Sequence, residues 1–554
     1  MNKRSDILHV LTALIIILMY FYVLDLFQPR YIVLCRGVAW IGVYDIGLVN
    51  MNLFSVLLLI MASIILIACH TTDGFNGISL IKLSVFSILT IIVIDLLLLL
   101  YWIVYMCNPA DYTLTAYVLL PYLDAGLFHV CSPVYPILLL ATLYSWLSIF
   151  TIKIFKIRVR LKIRYCRPLS ALTAVSQLSS TYVERLGFTA IILLGIILTL
   201  IPYLPTINPG FKSVSVDIKY YSEWLNSILS LDGWSAIKYV FYKNWNRSVY
   251  VLMLYSMVKA GLPSQYVLNL EGLFIAPFFA LTVYYMAKRI HGASQYATLA
   301  SLSGLLGFNM TANMFGGFFM AWTALSLFYL CVGLTPSLMR EDVKALALCV
   351  AISILMLYIH PWTWSVCMAT LLTHLAISAL KYVKLGKFAV NRSLFTLLVV
   401  NAIVDFLKNI LTPCGGGVVA SAVTLTRAIS FENILKLSWS LNRLTYTYLM
   451  GLLFNPLHMA LALVGVLSLL KLRSEHSQLT LIWLAVASTP FIIVDTALQS
   501  RLILTMPFPI LIAEGLWALS KFLGKFDSKL PKLFQAFFIV SSLTYTVRAL
   551  CNLI

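Results

Sequence analysis

The chain has 554 residues, 61% of them hydrophobic and 11% charged, with a mean hydropathy of +0.94. Soluble domains carry about 25% charged residues, so soluble, disordered, fibrous and disulfide-stapled classes are excluded. The apolar residues form long runs, not the alternation of a membrane barrel, and the expected class is an all-α integral membrane protein. The net charge of +19 would point to nucleic acid in a soluble chain, so its placement along the chain is the first question.

Hydropathy predicts about fifteen transmembrane helices, near 7–27, 53–69, 83–105, 137–152, 188–204, 265–287, 296–312, 316–334, 345–359, 362–380, 394–412, 452–470, 479–495, 505–520 and 533–552. The first is not expected to be a cleaved signal peptide, because Asp25-Leu26-Phe27-Gln28-Pro29 offers no small-residue cleavage site. With Lys3 and Arg4 placed in the cytoplasm, strict alternation puts 25 of the 39 basic residues and seven of the 20 acidic ones on that side. Almost all of the excess charge is then the positive-inside rule, and no nucleic-acid partner is needed. This predicts a cytoplasmic N-terminus, an extracytoplasmic C-terminus and a plasma-membrane location, with the endoplasmic reticulum as the alternative.

The spans divide into two blocks. Residues 1–152 hold four spans of unknown role, and the basic stretch 153–187, from Lys153 through Arg167, reads as a cytoplasmic linker suited to anionic headgroups. Residues 188–554 hold eleven spans, with long outer loops at 205–264 and 413–451. Long outer segments usually have a job. No internal repeat is visible. Cys107 and Cys131 share an outer loop and could pair, or stay free as buried thiols do.

The first outer loop is the richest in signals. Asn208-Pro209-Gly210 marks a turn, and Asp217 stands where a helix N-cap would. Tyr221, Leu225, Ile228 and Leu229 follow at i, i+4, i+7 and i+8, and Tyr220, Trp224 and Trp234 are interfacial aromatics. This predicts a helix lying along the outer surface, then a second amphipathic piece over about 236–259. Asp217 has two readings: a helix cap, or a carboxylate at the membrane edge able to take a proton from an incoming hydroxyl.

This layout of a span, an outer Asp before a Tyr/Trp-rich amphipathic helix, and an Arg before the next segment resembles the multi-spanning GT-C glycosyltransferases. Those enzymes use a sugar on a polyprenyl or dolichyl phosphate and carry their catalytic Asp in the first outer loop. The resemblance covers about residues 188–520 by layout and short motifs only. It implies a GT-C-like core behind an extra four-helix N-terminal block, with Asp217 as the catalytic residue. Asn246-Arg247-Ser248 sits where some relatives have Asp-Arg-Pro, which makes Arg247 a substrate-binding candidate beside Tyr220 and Trp224. The second carboxylate of a DxD-type pair and a WWD-type signature are absent.

Two further outer turns carry chemistry. In Ile359-His360-Pro361-Trp362-Thr363-Trp364, His360 is placed to donate to a phosphate, or the stretch is a Pro turn in an aromatic belt. In Asp495 to Arg501, the isolated outer Arg501 matches a phosphate bidentately, or partners Asp495. The resemblance favours the phosphate role, since an Arg near a late span meets the lipid phosphate in similar enzymes. Within spans lie Asp25, Asp95, Glu271, Asp405, Lys408 and Glu514, the best case for a transporter. Asn246 and Asn309 head outward-facing glycosylation sequons. No metal or other cofactor is expected. The expected function is transfer of a sugar from a lipid-phosphate donor to a glycan, lipid or protein hydroxyl, with inversion; the rival is a transporter or lipid flippase.

Overall fold

The computed structural model describes residues 180–243, 247–384, 390–411, 455–471, 475–488, 503–524, 527–551 and 553. The block 1–152, most of the linker 153–187, the loop 413–451, the Cys107–Cys131 pair and Arg501 lie outside the described residues. Within them the fold is helical, without strands.

The region from 180 to 269 is framed by α1 (Ser180–Leu200) and built from α2 (Ile218–Leu229), α3 (Gly233–Lys243), α4 (Ser248–Lys259) and the short α5 (Ser264–Asn269). The chain continues through α6 (Gly272–His291), α7 (Ser294–Leu305), α8 (Phe308–Gly316), α9 (Phe319–Met339), α10 (Val343–Ile359), α11 (Pro361–Lys384) and α12 (Arg392–Leu411). The last described elements are α13 (Pro456–Lys471), α14 (Glu475–Ser488), α15 (Phe508–Leu523) and α16 (Leu530–Cys551). Among the described residues, Ser264–Arg289, Phe319–Met339, Pro361–Leu380, Arg392–Ile410 and Leu530–Cys551 are long and apolar enough to cross a membrane.

The outward surface fits that reading. On α12, Phe395, Ile403, Phe406 and Ile410 are more than half exposed, while Leu394, Leu397 and Asn401 on the same helix are buried. A soluble helix would turn those large apolar side chains inward, whereas a bilayer solvates them. The buried side is polar where helices must recognise one another. Trp364 Nε1 donates to Asn401 Oδ1 at 3.0 Å, and Asn401 Nδ2 donates to Ser353 Oγ at 2.8 Å, tying α10, α11 and α12 together.

The spans predicted at 7–27, 53–69, 83–105 and 137–152 lie outside the described residues; those predicted after residue 187 overlap described helices, with one instructive exception. The run 296–312 is not one helix: α7 ends at Leu305, and α8 starts at Phe308 after Gly307 in an extended conformation. Twelve residues rise only about 18 Å, too little to cross alone. A side chain on Gly307 would collide with the Ser303 carbonyl and the His458 ring, so the break rests on a residue without Cβ. The second amphipathic piece is also split, into α3 and α4, with Arg247 at the start of α4.

Candidate functional site

The residues between α1 and α2 are held by backbone pairing with the end of α8. Val216 N–H donates to the Phe315 carbonyl and Asp217 N–H to the Gly316 carbonyl, both at 3.0 Å, and Ser215 Oγ donates to the Met314 carbonyl at 2.7 Å. Gly317 sits at φ +68°, where L side chains are strained, and a Cβ there would lie 2.9 Å from Ser215 Cβ. The close approach brings Asp217 against the start of α9.

α2 begins where the apolar stripe predicts. Tyr221, Leu225 and Ile228 are buried, but against protein: Tyr221 faces Tyr250 of α4, with ring centroids 6.1 Å apart. Asp217 occupies the N-cap position, yet its side chain makes no capping hydrogen bond to the first turn. Its backbone is in the helical region, φ −84° and ψ −4°, not the extended region typical of a capping residue. The carboxylate is therefore not spent on the helix.

Asp217, Arg247 and His360 line one open cleft of about 350 Å³ with Tyr221, Phe318, Met320, Ala321 and Leu504. Six parts of the chain contribute: the loop before α2, α2 itself, the start of α4, the start of α9, the α10–α11 turn and the segment before α15.

Each polar member is braced. Arg247 stands over the Trp224 ring, its guanidinium carbon 5.0 Å from the centroid. His360 joins α10 to α11, and its Nδ1 lies 2.8 Å from Thr363 Oγ1 and 3.3 Å from the Thr363 N–H. Tyr221 Oη donates to the Gly317 carbonyl at 2.6 Å. Burial pushes the Tyr221 hydroxyl well above the ordinary phenol range, and the negative charges of Glu271 and Asp217 add to this while Arg247 opposes it. Tyr221 is thus a neutral donor. Below it, Tyr250 donates its hydroxyl to the buried Glu271 carboxylate.

Of the residues singled out in the sequence, Asp217, Arg247 and His360 come together, and Trp224 reaches the cleft through Arg247. Tyr220 does not line it: it is 43% exposed, stacked on Trp224 at 6.5 Å with Lys219 Nζ 5.0 Å from its ring. Tyr221 belongs to the site although its spacing marks it as core. The available signal was Gly316-Gly317, a point where backbone can approach closely. Asn309 is buried in α8 and donates to the Leu504 carbonyl, so this sequon is not open to glycosylation. Among the described residues, no group of three or more His, Cys, Asp or Glu is placed to hold a metal ion. Compared with known proteins, the chain matches no family model and no curated sequence.

Proposed function

We propose that the protein is an integral-membrane glycosyltransferase of the GT-C type, with about fifteen spans, that moves a sugar from a polyprenyl- or dolichyl-phosphate donor to an acceptor hydroxyl at the extracytoplasmic face. The observation that carries this reading is the meeting of Asp217, Arg247 and His360 in one cleft. Asp217 takes the proton of the acceptor hydroxyl, and that oxygen attacks the anomeric carbon. The bond from this carbon to the phosphate oxygen breaks, and the lipid phosphate leaves with the electron pair. One displacement inverts the anomeric centre. Arg247 and His360 meet the charge growing on the phosphate; Arg501, the further phosphate candidate from the sequence, lies outside the described residues. The apolar wall of Phe318, Met320, Ala321 and Leu504 suits a lipid-linked substrate.

The transporter alternative needs its charged residues along one path. Glu271 instead takes a hydrogen bond from Tyr250, and Asp405 and Lys408 lie together on α12. The deciding experiment incubates the purified full chain in lipid nanodiscs with radiolabelled polyprenyl-phosphate sugars and a mixed hydroxyl acceptor pool. Label transferred with release of lipid phosphate supports the proposal. Donor recovered intact with every sugar, or translocated intact across vesicles, sinks it.

A further inference from the structure

We infer that α3 is a membrane-contact helix, whose outward face of Trp234, Ile237, Lys238 and Tyr242 lies in the headgroup layer of the bilayer and selects anionic lipid. The helix has two unlike sides. Ala236 and Val240, four residues apart, are fully buried and hold α3 to the protein. Trp234, Ile237, Lys238 and Tyr242, at i, i+3, i+4 and i+8, run along the opposite side. There Trp234 is 65% exposed, Tyr242 53% and Ile237 36%. A helix that met only water would not turn Trp, Ile and Tyr outward along its whole length. The apolar stripe of α2, Tyr221, Leu225 and Ile228, is buried against protein, so α3 is the helix that keeps such a face outward.

The cations identify the partner. Lys238 Nζ lies 5.4 Å from the centroid of the Trp234 ring, and Lys243 Nζ 5.7 Å from that of Tyr242. Aromatic bodies with ammonium groups beside them match the border between acyl chains and phosphates, where rings enter the apolar layer and lysine stems snorkel. Asp232, the acidic group just before α3, is engaged by the Ser235 N–H at the start of the helix. The face is left with positive charge, complementary to anionic headgroups. Its depth follows from its neighbours. Phe241 of α3 meets the Tyr358 ring, in the last turn of α10, with centroids 6.0 Å apart. Lys408 Nζ, in the last turn of α12, is 5.7 Å from the same ring. Of these neighbours, α12 is long and apolar enough to cross a membrane, and its exposed side carries Ile403, Phe406 and Ile410. α3 therefore lies where α10 and α12 end, the level at which a spanning helix reaches the headgroups. The lipid contact stands apart from the glycosyltransferase reading. Only its use, holding the cleft around His360 at the depth of a lipid phosphate, rests on that reading.

The test is fluorine NMR of the full chain in lipid nanodiscs, with fluorotryptophan incorporated in place of tryptophan. The Trp234 signal is assigned by its loss in Trp234→Phe, a change that leaves the buried side of α3 intact. A nitroxide carried at the top of the lipid acyl chain should abolish the Trp234 signal, and a neutral gadolinium chelate in the water should broaden it less. A signal lost to the chelate and kept beside the nitroxide places α3 in water; one kept beside both places it under protein. Either result overturns the contact. Replacing phosphatidylcholine by phosphatidylglycerol should shift the Trp234 resonance of the native protein and leave it in place in the Lys238→Gln/Lys243→Gln protein. Equal shifts in the two proteins, or none in either, overturn the selection of anionic lipid. None of these readouts involves sugar transfer, so failure of the lipid contact and failure of the proposed activity are separable.

Discussion

The Tyr221 hydroxyl donates to the carbonyl of Gly317, 96 residues away in the chain, at 2.6 Å. Through this bond the first outer helix is fastened to the start of α9, the wall against which Asp217 sits. A side chain at Gly317 would meet both the strained backbone and Ser215. Gly317→Ala should therefore cost at least about 1–2 kcal/mol and lower transfer, and Tyr221→Phe about 0.5–1.5 kcal/mol. Thermal unfolding in nanodiscs checks both. A Gly317→Ala protein as stable and as active as the native one would separate this contact from the site.

Asp217→Asn isolates the proposed base. Because Asn keeps the size and shape of Asp and the Asp217 side chain makes no capping bond to α2, the substitution should leave α2 folded. Transfer should fall by about 10²–10⁴, while donor binding is kept. Near-native transfer would move the role to another carboxylate, with Glu223 and Asp232 the first to examine.

Sidedness has its own check. Ser213 is exposed beside the Asp217 segment, and Arg164 belongs to the basic linker. Ser213→Cys should react with an impermeant thiol reagent only from outside, and Arg164→Cys only from the cytoplasm. Labelling of Ser213→Cys from the cytoplasm would place the cleft on the wrong face for a lipid-phosphate sugar donated outside.

Among the described helices, α13 and α15 approach closely where Gly465 meets Gly515. A Cβ on Gly465 would run into the Leu511 carbonyl, and one on Gly515 into the Leu461 carbonyl. Small residues allow such backbone approach between membrane helices. Gly465→Val or Gly515→Val should force the pair apart, by about 1–3 kcal/mol or more, with loss of folded yield by size-exclusion chromatography. Unchanged yield and stability in both variants would show that the helices separate freely.

Acid should loosen α3 at its start. Asp232 Oδ1 accepts from the Ser235 N–H at 2.6 Å, and its hydrogen bonds to Ser235 hold the carboxyl below the ordinary carboxylate value. A depressed folded value means the contribution is present above the unfolded value and lost as pH falls through the folded one. Hydrogen exchange at Ser235 and Ala236 should stay slow at pH 5 and quicken only below about pH 4. Asp232→Ala should exchange quickly at both, and equal protection in the two proteins would remove the cap.

The sequence by itself determined the class, most helix boundaries and the candidates Asp217, Arg247 and His360. Those features are local: a span is recorded in the transfer free energy of its own side chains, and α2 in the spacing of Tyr221, Leu225 and Ile228. The same spacing marks Tyr221 as core and cannot show that its hydroxyl reaches Gly317. Nor does hydropathy register the break at Gly307, because Leu305, Leu306 and Phe308 keep the run apolar while the extended backbone of Gly307, where a Cβ would strike the Ser303 carbonyl, interrupts the helix. Only the tertiary structure decided that the Asp217 side chain makes no cap to α2, that Tyr221 lines the cleft and Tyr220 does not, and that residues from α2 to the segment before α15 share one site. Each of these depends on backbone carbonyls and ring faces contributed by distant parts of the chain, and their positions are set by packing, not by neighbours in sequence.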